Sequence, residues 1–141
     1  MKAHIAAPPV RVLTYGLDDP TQEGLANVLD KLKIPQRKVD PRELGEMVGF
    51  LAGFPGYSAK GDQELQSVAD SSGVLCISGL SGAKLDRLLQ ALRQEGVSIP
   101  LKAVVTPTNQ RWTFLQLIQE LQREHEAVTQ GHQAHPAKDI R

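Results

Sequence analysis

The chain has 141 residues, and its 16 lysine and arginine residues balance its 16 aspartate and glutamate residues. This length fits one domain of ordinary size. The basic and acidic residues are balanced, and no basic stripe of the kind that nucleic-acid binding usually needs is present, which argues against nucleic acid as a partner. The single cysteine, Cys76, cannot form an internal disulfide, and no apolar run is long enough for a membrane span or a signal peptide. We therefore expect a soluble cytoplasmic protein.

The first half of the chain, residues 10–53, has a strand–helix–strand–helix pattern that follows a flexible lead-in over residues 1–9. Asp19 is the predicted cap of the first helix, with a proline at the first helical position. Gln36–Val39 is predicted to be a short strand at a sheet edge. Asp40-Pro41-Arg42-Glu43 has the spacing of a capping box for a second helix, whose apolar face reaches a glycine.

The second half repeats this pattern after a predicted linker with a short helix, residues 54–73. Val74–Ile77 is a continuous apolar run typical of a strand covered on both faces, so we expect it to be central. Ser81 can cap the helix that follows, and Gly96 can end that helix in the left-handed conformation.

The stretch 101–121 has the clearest pattern in the chain. A strand over Leu101–Val105 is followed by a polar loop and an amphipathic helix. Thr113 and Gln116 form a capping box, and Trp112 just before the cap can act as a hydrophobic staple. The helical pattern fades after His125, so the second repeat is predicted to span residues 74–126, with a flexible tail over residues 127–141.

The two halves can be superposed as sequences. Leu13–Leu17 lies over Cys76–Leu80, and Met47 in the last helix of the first half lies over Leu117. We interpret the match as a duplicated βαβα unit, with chance similarity between short α/β patterns as the alternative. Right-handed crossovers then predict an α/β fold with a mostly parallel four-stranded sheet flanked by helices.

The second half also resembles a small bacterial family catalogued as domain of unknown function 3783. The residues that carry the resemblance, which extends over Val74–Val128, are Val74–Leu80, Pro100–Asn109, Trp112-Thr113 and Leu117–His125. The family implies no activity, cofactor or catalytic residue. The first half has Asp40-Pro41-Arg42-Glu43 at the equivalent place and lacks the polar loop.

The loop between the last strand and the last helix is the first candidate for a ligand site. Thr106, Thr108, Asn109 and Arg111 offer hydroxyl, amide and guanidinium donors to an anionic or polar ligand, at the strand ends where open α/β sheets bind ligands. The alternative, which we favour, is that the threonines and the asparagine close the turn on its own backbone. That alternative leaves only Arg111 unexplained.

The turn Ser78–Gly82 is the second candidate, with Ser78 and Ser81 as its polar side chains. It lacks the lysine of a P-loop and the spacing of a dinucleotide fingerprint, so a tight strand-to-helix turn explains it better. In a parallel sheet this turn and the polar loop lie at the same edge, which would form a shallow polar pocket.

The remaining chemically reactive residues have ordinary structural explanations. Cys76 lies in the most apolar strand, so we expect a buried, inert thiol. The acidic residues at strand ends have capping patterns, and the histidines of the tail lack a fixed geometry for a metal. We therefore predict no catalytic residue, no metal site and no cofactor. The acidic residues at strand ends are Asp18, Asp19 and Asp40, and the histidines are His125, His132 and His135.

The sequence favours a non-catalytic binding or regulatory module that contacts a protein partner or a small ligand. A unit of about sixty residues buries a sheet poorly, so a homodimer is a possible form. One alternative is an enzyme acting on a phosphorylated or carboxylated metabolite at the strand carboxyl ends. A nucleic-acid-binding accessory protein is a second alternative.

Overall fold

The computed structural model describes residues 8–61 and 73–131. The predicted short helix after residue 61, the first seven residues of the lead-in and the tail from residue 132 lie outside this range. The described part contains four strands, four α-helices and two 3-10 turns. Their bounds are β1 Arg11–Tyr15, α1 Asp19–Leu32, β2 Gln36–Lys38, a 3-10 turn Pro41–Glu43, α2 Val48–Ala52, β3 Val74–Ser78, α3 Gly82–Gln94, β4 Leu101–Val104, a 3-10 turn Asn109–Arg111 and α4 Phe114–Gly131.

The strands form one mixed sheet in the order β2-β1-β3-β4. β1 pairs with β2, and β3 with β4, in parallel, whereas the two central strands β1 and β3 are antiparallel. The predicted α/β class with a mostly parallel four-stranded sheet is therefore confirmed, with an antiparallel pair at its centre. As a consequence, β1 and β2 end at one edge of the sheet, and β3 and β4 end at the opposite edge.

Helices cover both faces of the sheet. On one face α1 and α3 pack beside each other over Val12, Leu75 and Ile77. On the other face α2 and α4 pack over Leu13 and Cys76. All five residues of β3 are buried, which confirms the prediction that this apolar run is a central strand.

The two halves have the same order of elements: strand, helix, strand, 3-10 turn, helix. β1 and β3 pair about Leu13 and Cys76, which are also superposed in the sequence comparison. An isolated antiparallel bridge joins Met47 to Thr113, the residues that precede α2 and α4. The halves therefore face each other across an approximate two-fold axis. In the structure Met47 is equivalent to Thr113, whereas the sequence comparison aligned it with Leu117. The two alignments of the last helices therefore differ by about one helical turn.

Two predicted helix starts need correction. Asp18, not Asp19, is the cap of α1, because its side chain accepts a hydrogen bond from Thr21 N at 2.9 Å. Hydrogen bonding to Thr21, through its side chain and through this backbone N–H, lowers the pKa of the Asp18 carboxyl. In the first half the capping box is present, with Glu43 Oε1 accepting from Asp40 N at 3.0 Å, but it caps a single 3-10 turn. The α-helix that follows is only five residues long.

Ser81 occupies the N-cap position of α3 as predicted, but its side chain makes no capping hydrogen bond. The other helix ends agree with the sequence signals more closely. Gln116 Oε1 accepts from Thr113 N at 2.9 Å and Gln116 N donates to Thr113 Oγ1 at 3.1 Å, which confirms the capping box of α4. Gly96 has a φ of 71° at the end of α3, as predicted. Helix α4 continues past His125, where the sequence pattern fades, as far as Gly131.

Candidate functional site

The polar loop after β4 is closed by its own side chains. Thr106 N donates to Asn109 Oδ1 at 2.9 Å, and Asn109 N donates to Thr106 Oγ1 at 3.0 Å. The Asn109 amide also donates from Nδ2 to Val104 O at 3.0 Å, and only 8% of this residue is exposed. The polar atoms of Thr106 and Asn109 thus take part in the turn itself, where their geometry resembles a capping box.

The other two residues of the loop point away from this closure. Thr108 and Arg111 are exposed. Thr108 makes no side-chain capping bond, while the backbone N–H of Arg111 donates to Thr108 O at 3.4 Å. Arg111 therefore leaves its guanidinium available at the surface of a loop whose backbone is internally bonded.

The turn after β3 lies at the same edge as the polar loop, because β3 and β4 are parallel. Its two serines differ. Ser78 is fully buried and donates from its hydroxyl to Pro9 O at 2.7 Å, whereas Ser81 is exposed and makes no side-chain capping bond to α3. The hydroxyl of Ser78 thus anchors the segment that leads into β1.

Cys76 has the buried environment that its sequence context predicts. It is fully buried in β3, and burial raises the pKa of its thiol to about 12. A thiol with such a pKa is almost entirely protonated near neutrality and is a poor nucleophile. Among residues 8–61 and 73–131, moreover, no group of three metal-ligating side chains is found.

One buried carboxylate has a role that the sequence does not indicate. Glu46 is only 5% exposed, and its two oxygens accept from Lys60 N at 2.8 Å and Gly61 N at 3.1 Å. It therefore fixes the chain after α2 to the body of the domain. Because its backbone partners lie far along the chain, no local spacing could have revealed this role.

A groove of about 200 Å³ opens between the end of α1 and the start of α3. We call it the basic groove, because three cations and, among the described residues, no acidic residue line it. Its floor and walls also include apolar residues from both halves of the chain. The lining residues are Val10, Leu32, Lys33, Ile34, Leu80, Lys84 and Arg87.

The cations of the basic groove have no ion pair within the described residues. Lys33, Lys84 and Arg87 are all exposed, and the ion pairs of the described part involve other cations, such as Lys31 with Glu95. Lys84 and Arg87 are three residues apart on α3 and so share one face of that helix. The groove therefore presents unneutralised positive charge beside apolar surface.

The basic groove has a closed counterpart at the other end of the α1 and α3 pair. Ile34 N donates to Leu29 O at the end of α1, and Val97 N donates to Leu92 O at the end of α3, both at 2.9 Å. At that second end Val97 lies so close to Gly24 that a Cβ added there would be 2.7 Å from Val97 Cγ2.

The position on α3 that matches Gly24 is occupied by Arg87, since Leu25 and Leu88 are matching buried residues in the sequence comparison. Arg87 thus places a long charged side chain on the groove where the matching position of α1 has no side chain. The groove is therefore open at one end of the helix pair and filled at the other.

A second depression, of about 190 Å³, lies along α4 beside Trp112. Its other lining residues are polar, and two of them, Glu120 and Arg123, form an ion pair with each other. Because its charges are internally neutralised, this depression offers less to a charged partner than the basic groove does.

Comparison with known proteins finds a family match in the second half of the chain. Residues 74–128 match the family model described as Domain of unknown function (DUF3783). The resemblance predicted over Val74–Val128 is thereby confirmed, and the match covers less than half of the chain. It runs from β3 into α4 and so contains the polar loop and one wall of the basic groove. No curated protein and no solved structure shows a significant match.

None of the helices in the described part combines the length and the apolar character needed to cross a membrane.

Proposed function

We propose that the chain is a cytoplasmic, non-catalytic binding module that contacts a protein partner or a small ligand through the basic groove. The observation that carries this proposal is the combination of an apolar floor with three cations that lack an ion pair in the described part of the chain. Apolar surface beside like charges is unfavourable in water, and an anionic partner with an apolar part would relieve both effects.

An enzyme at the carboxyl ends of β3 and β4 has less support. Such an enzyme would use Arg111, Asn109, Ser78 and Ser81 around a phosphorylated or carboxylated metabolite. However, the side chains of Asn109 and Ser78 are engaged in hydrogen bonds to backbone atoms, and Arg111 and Ser81 are exposed. Because two of these side chains are engaged in hydrogen bonds and the other two are exposed, this edge of the sheet favours a binding function over a catalytic one.

We also infer that the two halves derive from one duplicated βαβα unit. The support is the shared order of elements and the approximate two-fold axis that relates β1 to β3 and Met47 to Thr113. Since α1 packs against α3, each unit covers apolar surface of the other within one chain. Duplication then supplies the burial that a single unit of about sixty residues lacks.

The homodimer stays a prediction, and light scattering over a series of protein concentrations tests it. A mass that rises toward twice that of the chain would support a second copy as the partner. A monomer at every concentration would contradict the dimer but would not bear on binding to other partners.

Site-specific photo-crosslinking tests the binding function directly. A photoreactive amino acid is placed at Ala83, which is exposed beside the groove without lining it, and at Thr108 in the polar loop as the matched control. After irradiation in a bacterial host that expresses the chain, we expect a discrete adduct from Ala83 that is absent from Thr108. Native mass spectrometry of the purified protein reveals a bound small ligand as a mass increase.

Two outcomes would contradict the proposal. One is the absence of both an adduct at Ala83 and a ligand mass increase. The other is an adduct at Thr108 alone, because this result would place the binding surface at the polar loop.

A further inference from the structure

We infer that the basic groove binds an acidic segment of a protein partner, which places an apolar side chain on the groove floor between carboxylates that face the three cations. This inference rests on the proposed binding function and specifies the chemistry of its partner. It follows from the size of the groove, the arrangement of its charges and the difference between the two ends of the helix pair.

The size of the groove favours a polypeptide over a cofactor. Pockets that enclose small organic ligands are typically about 300–1,000 Å³ and bury most of the ligand. The basic groove is smaller, at about 200 Å³, and its floor includes Leu80 and Ile34. A cavity of this size accommodates one apolar side chain of a partner whose remaining contacts lie on the rim.

The charges lie on two walls of the groove. Lys33 follows the last residue of α1, and Lys84 and Arg87 lie on one face of the first two turns of α3. Carboxylates on either side of a central apolar residue can therefore meet a cation on each wall. Arg87 adds a planar guanidinium that can bind a carboxylate through two parallel hydrogen bonds.

The three cations of the groove have no charged counterparts at the matching positions of the other end of the helix pair. At the closed end, the positions that match Lys33, Lys84 and Arg87 are Gly96, Thr21 and Gly24, none of which is charged. If these cations served only to keep a helix surface in contact with water, charged residues would be expected at the matching positions of the closed end as well. The open end of the helix pair therefore carries three cations at positions that are uncharged at the closed end.

The structure favours this partner over a nucleic acid. Within residues 8–61 and 73–131, no aromatic residue lines the groove, so this part of the chain offers bases no platform on which to stack. The three cations also form a compact cluster and do not extend into a long basic stripe that could follow a phosphate backbone.

Selection from a library of random peptides, displayed on phage and bound to the full chain, tests the inference. Selected peptides are compared on the wild-type chain, on Lys84→Glu/Arg87→Glu, and on Lys38→Glu/Arg93→Glu, which reverses two exposed cations outside the groove. Circular dichroism checks that each variant is folded, and fluorescence anisotropy gives the dissociation constants.

We expect enriched peptides to contain acidic residues around a leucine, isoleucine or phenylalanine. The Lys84→Glu/Arg87→Glu variant should bind them at least about tenfold more weakly, and the control variant within about twofold of wild type. Replacing the apolar peptide residue by serine should weaken binding by about tenfold or more, because its burial on the groove floor is lost.

The inference is overturned if the enriched peptides lack acidic residues or if both charge-reversal variants weaken binding equally. It also fails if inorganic phosphate, decanoate or oligodeoxythymidine displaces the peptide at a comparable concentration. A crosslink at Ala83 together with no acidic preference would refute this inference alone, whereas the absence of any adduct or ligand would refute the binding function as well.

Discussion

Lys33 has an unusual backbone conformation for its residue type. With a φ of 59°, it is the only residue other than glycine with a positive φ among residues 8–61 and 73–131. The matching position at the end of α3 is Gly96, which adopts a similar conformation without a side chain. A lysine here contributes charge to the groove at the expense of a less favourable backbone.

We therefore predict opposite effects of Lys33→Gly on stability and on binding. The free energy of unfolding should rise by about 1 kcal/mol, because glycine adopts the left-handed conformation without the Cβ clash. Binding of an acidic peptide should weaken, because one wall of the groove loses its cation. Urea denaturation and fluorescence anisotropy measure the two quantities on the same protein samples. A variant that is less stable, or that binds as well as wild type, would contradict this account of Lys33.

Asn109 is the residue on which the polar loop depends. Replacement by alanine removes the bonds to Thr106 N and Val104 O from a nearly buried position. We expect Asn109→Ala to lower the free energy of unfolding by about 2 kcal/mol, since two backbone groups lose their partners. Thr108→Ala, at an exposed position in the same loop, should change it by less than about 0.5 kcal/mol. Equal effects of the two substitutions in urea denaturation would show that the loop is not held by Asn109.

At the residue scale, the sequence was informative where partners are close along the chain. The reciprocal bonds of Thr113 and Gln116 follow directly from their spacing. The prediction of Asp19 as the cap of α1 was wrong, because Asp18 and Asp19 are adjacent and both have the residue type and spacing of a helix cap. The clamp formed by Glu46 involves partners more than ten residues away, so no local pattern could predict it.

At the scale of elements, the packing of α1 against the segment that follows α3 depends on Gly24. In an isolated helix, a glycine is less favourable than alanine by about 1 kcal/mol. Here the missing side chain leaves room for Val97, because an added Cβ would lie 2.7 Å from Val97 Cγ2. Helix propensity and helix packing therefore act in opposite directions at this position.

The effect of Gly24→Ala on the free energy of unfolding should change sign with the residue at position 97. In the wild-type background we expect a loss of about 1 kcal/mol in the free energy of unfolding, since overpacking outweighs the better helix propensity. In a Val97→Ala background the same substitution should stabilise the chain by about 0.5 kcal/mol or more. A double-mutant cycle by urea denaturation gives the coupling. Additive effects within error would mean that the two residues do not restrict each other.

The sequence predicted most elements but not the length of all of them. Its strands and the α1, α3 and α4 helices follow from apolar periodicity and caps. In the first half, the residues between Asp40 and Met47 have helical spacing, yet they form a 3-10 turn followed by a second turn and a bend, and Met47 is extended. Met47 pairs with Thr113 in an isolated bridge, and such a tertiary contact overrides local helix propensity.

At the scale of the whole molecule, the direction of the central strands decides where candidate residues meet. A mostly parallel sheet was predictable from the two strand–helix–strand units, but their relative orientation was not, because a long connection between the units permits either direction. The antiparallel pairing of β1 with β3 brings the end of α1 next to the start of α3. That juxtaposition creates the basic groove from residues that are distant in sequence.

The polar loop was the sequence-based candidate, and the basic groove is the structure-based one. The loop could be recognised because its residues are contiguous and polar. The groove could not be recognised because Lys33 and Arg87 belong to different halves, and each alone is an ordinary exposed cation on a helix. The central claim is that binding takes place at the groove.

Nuclear magnetic resonance titration of the isotopically labelled chain with a selected acidic peptide tests this claim most directly. The account predicts that the largest amide shift changes occur at Ile34, Leu80, Lys84 and Arg87, and that they vanish in Lys84→Glu/Arg87→Glu. Shift changes centred on Thr106–Arg111, or spread evenly over the surface, would contradict it.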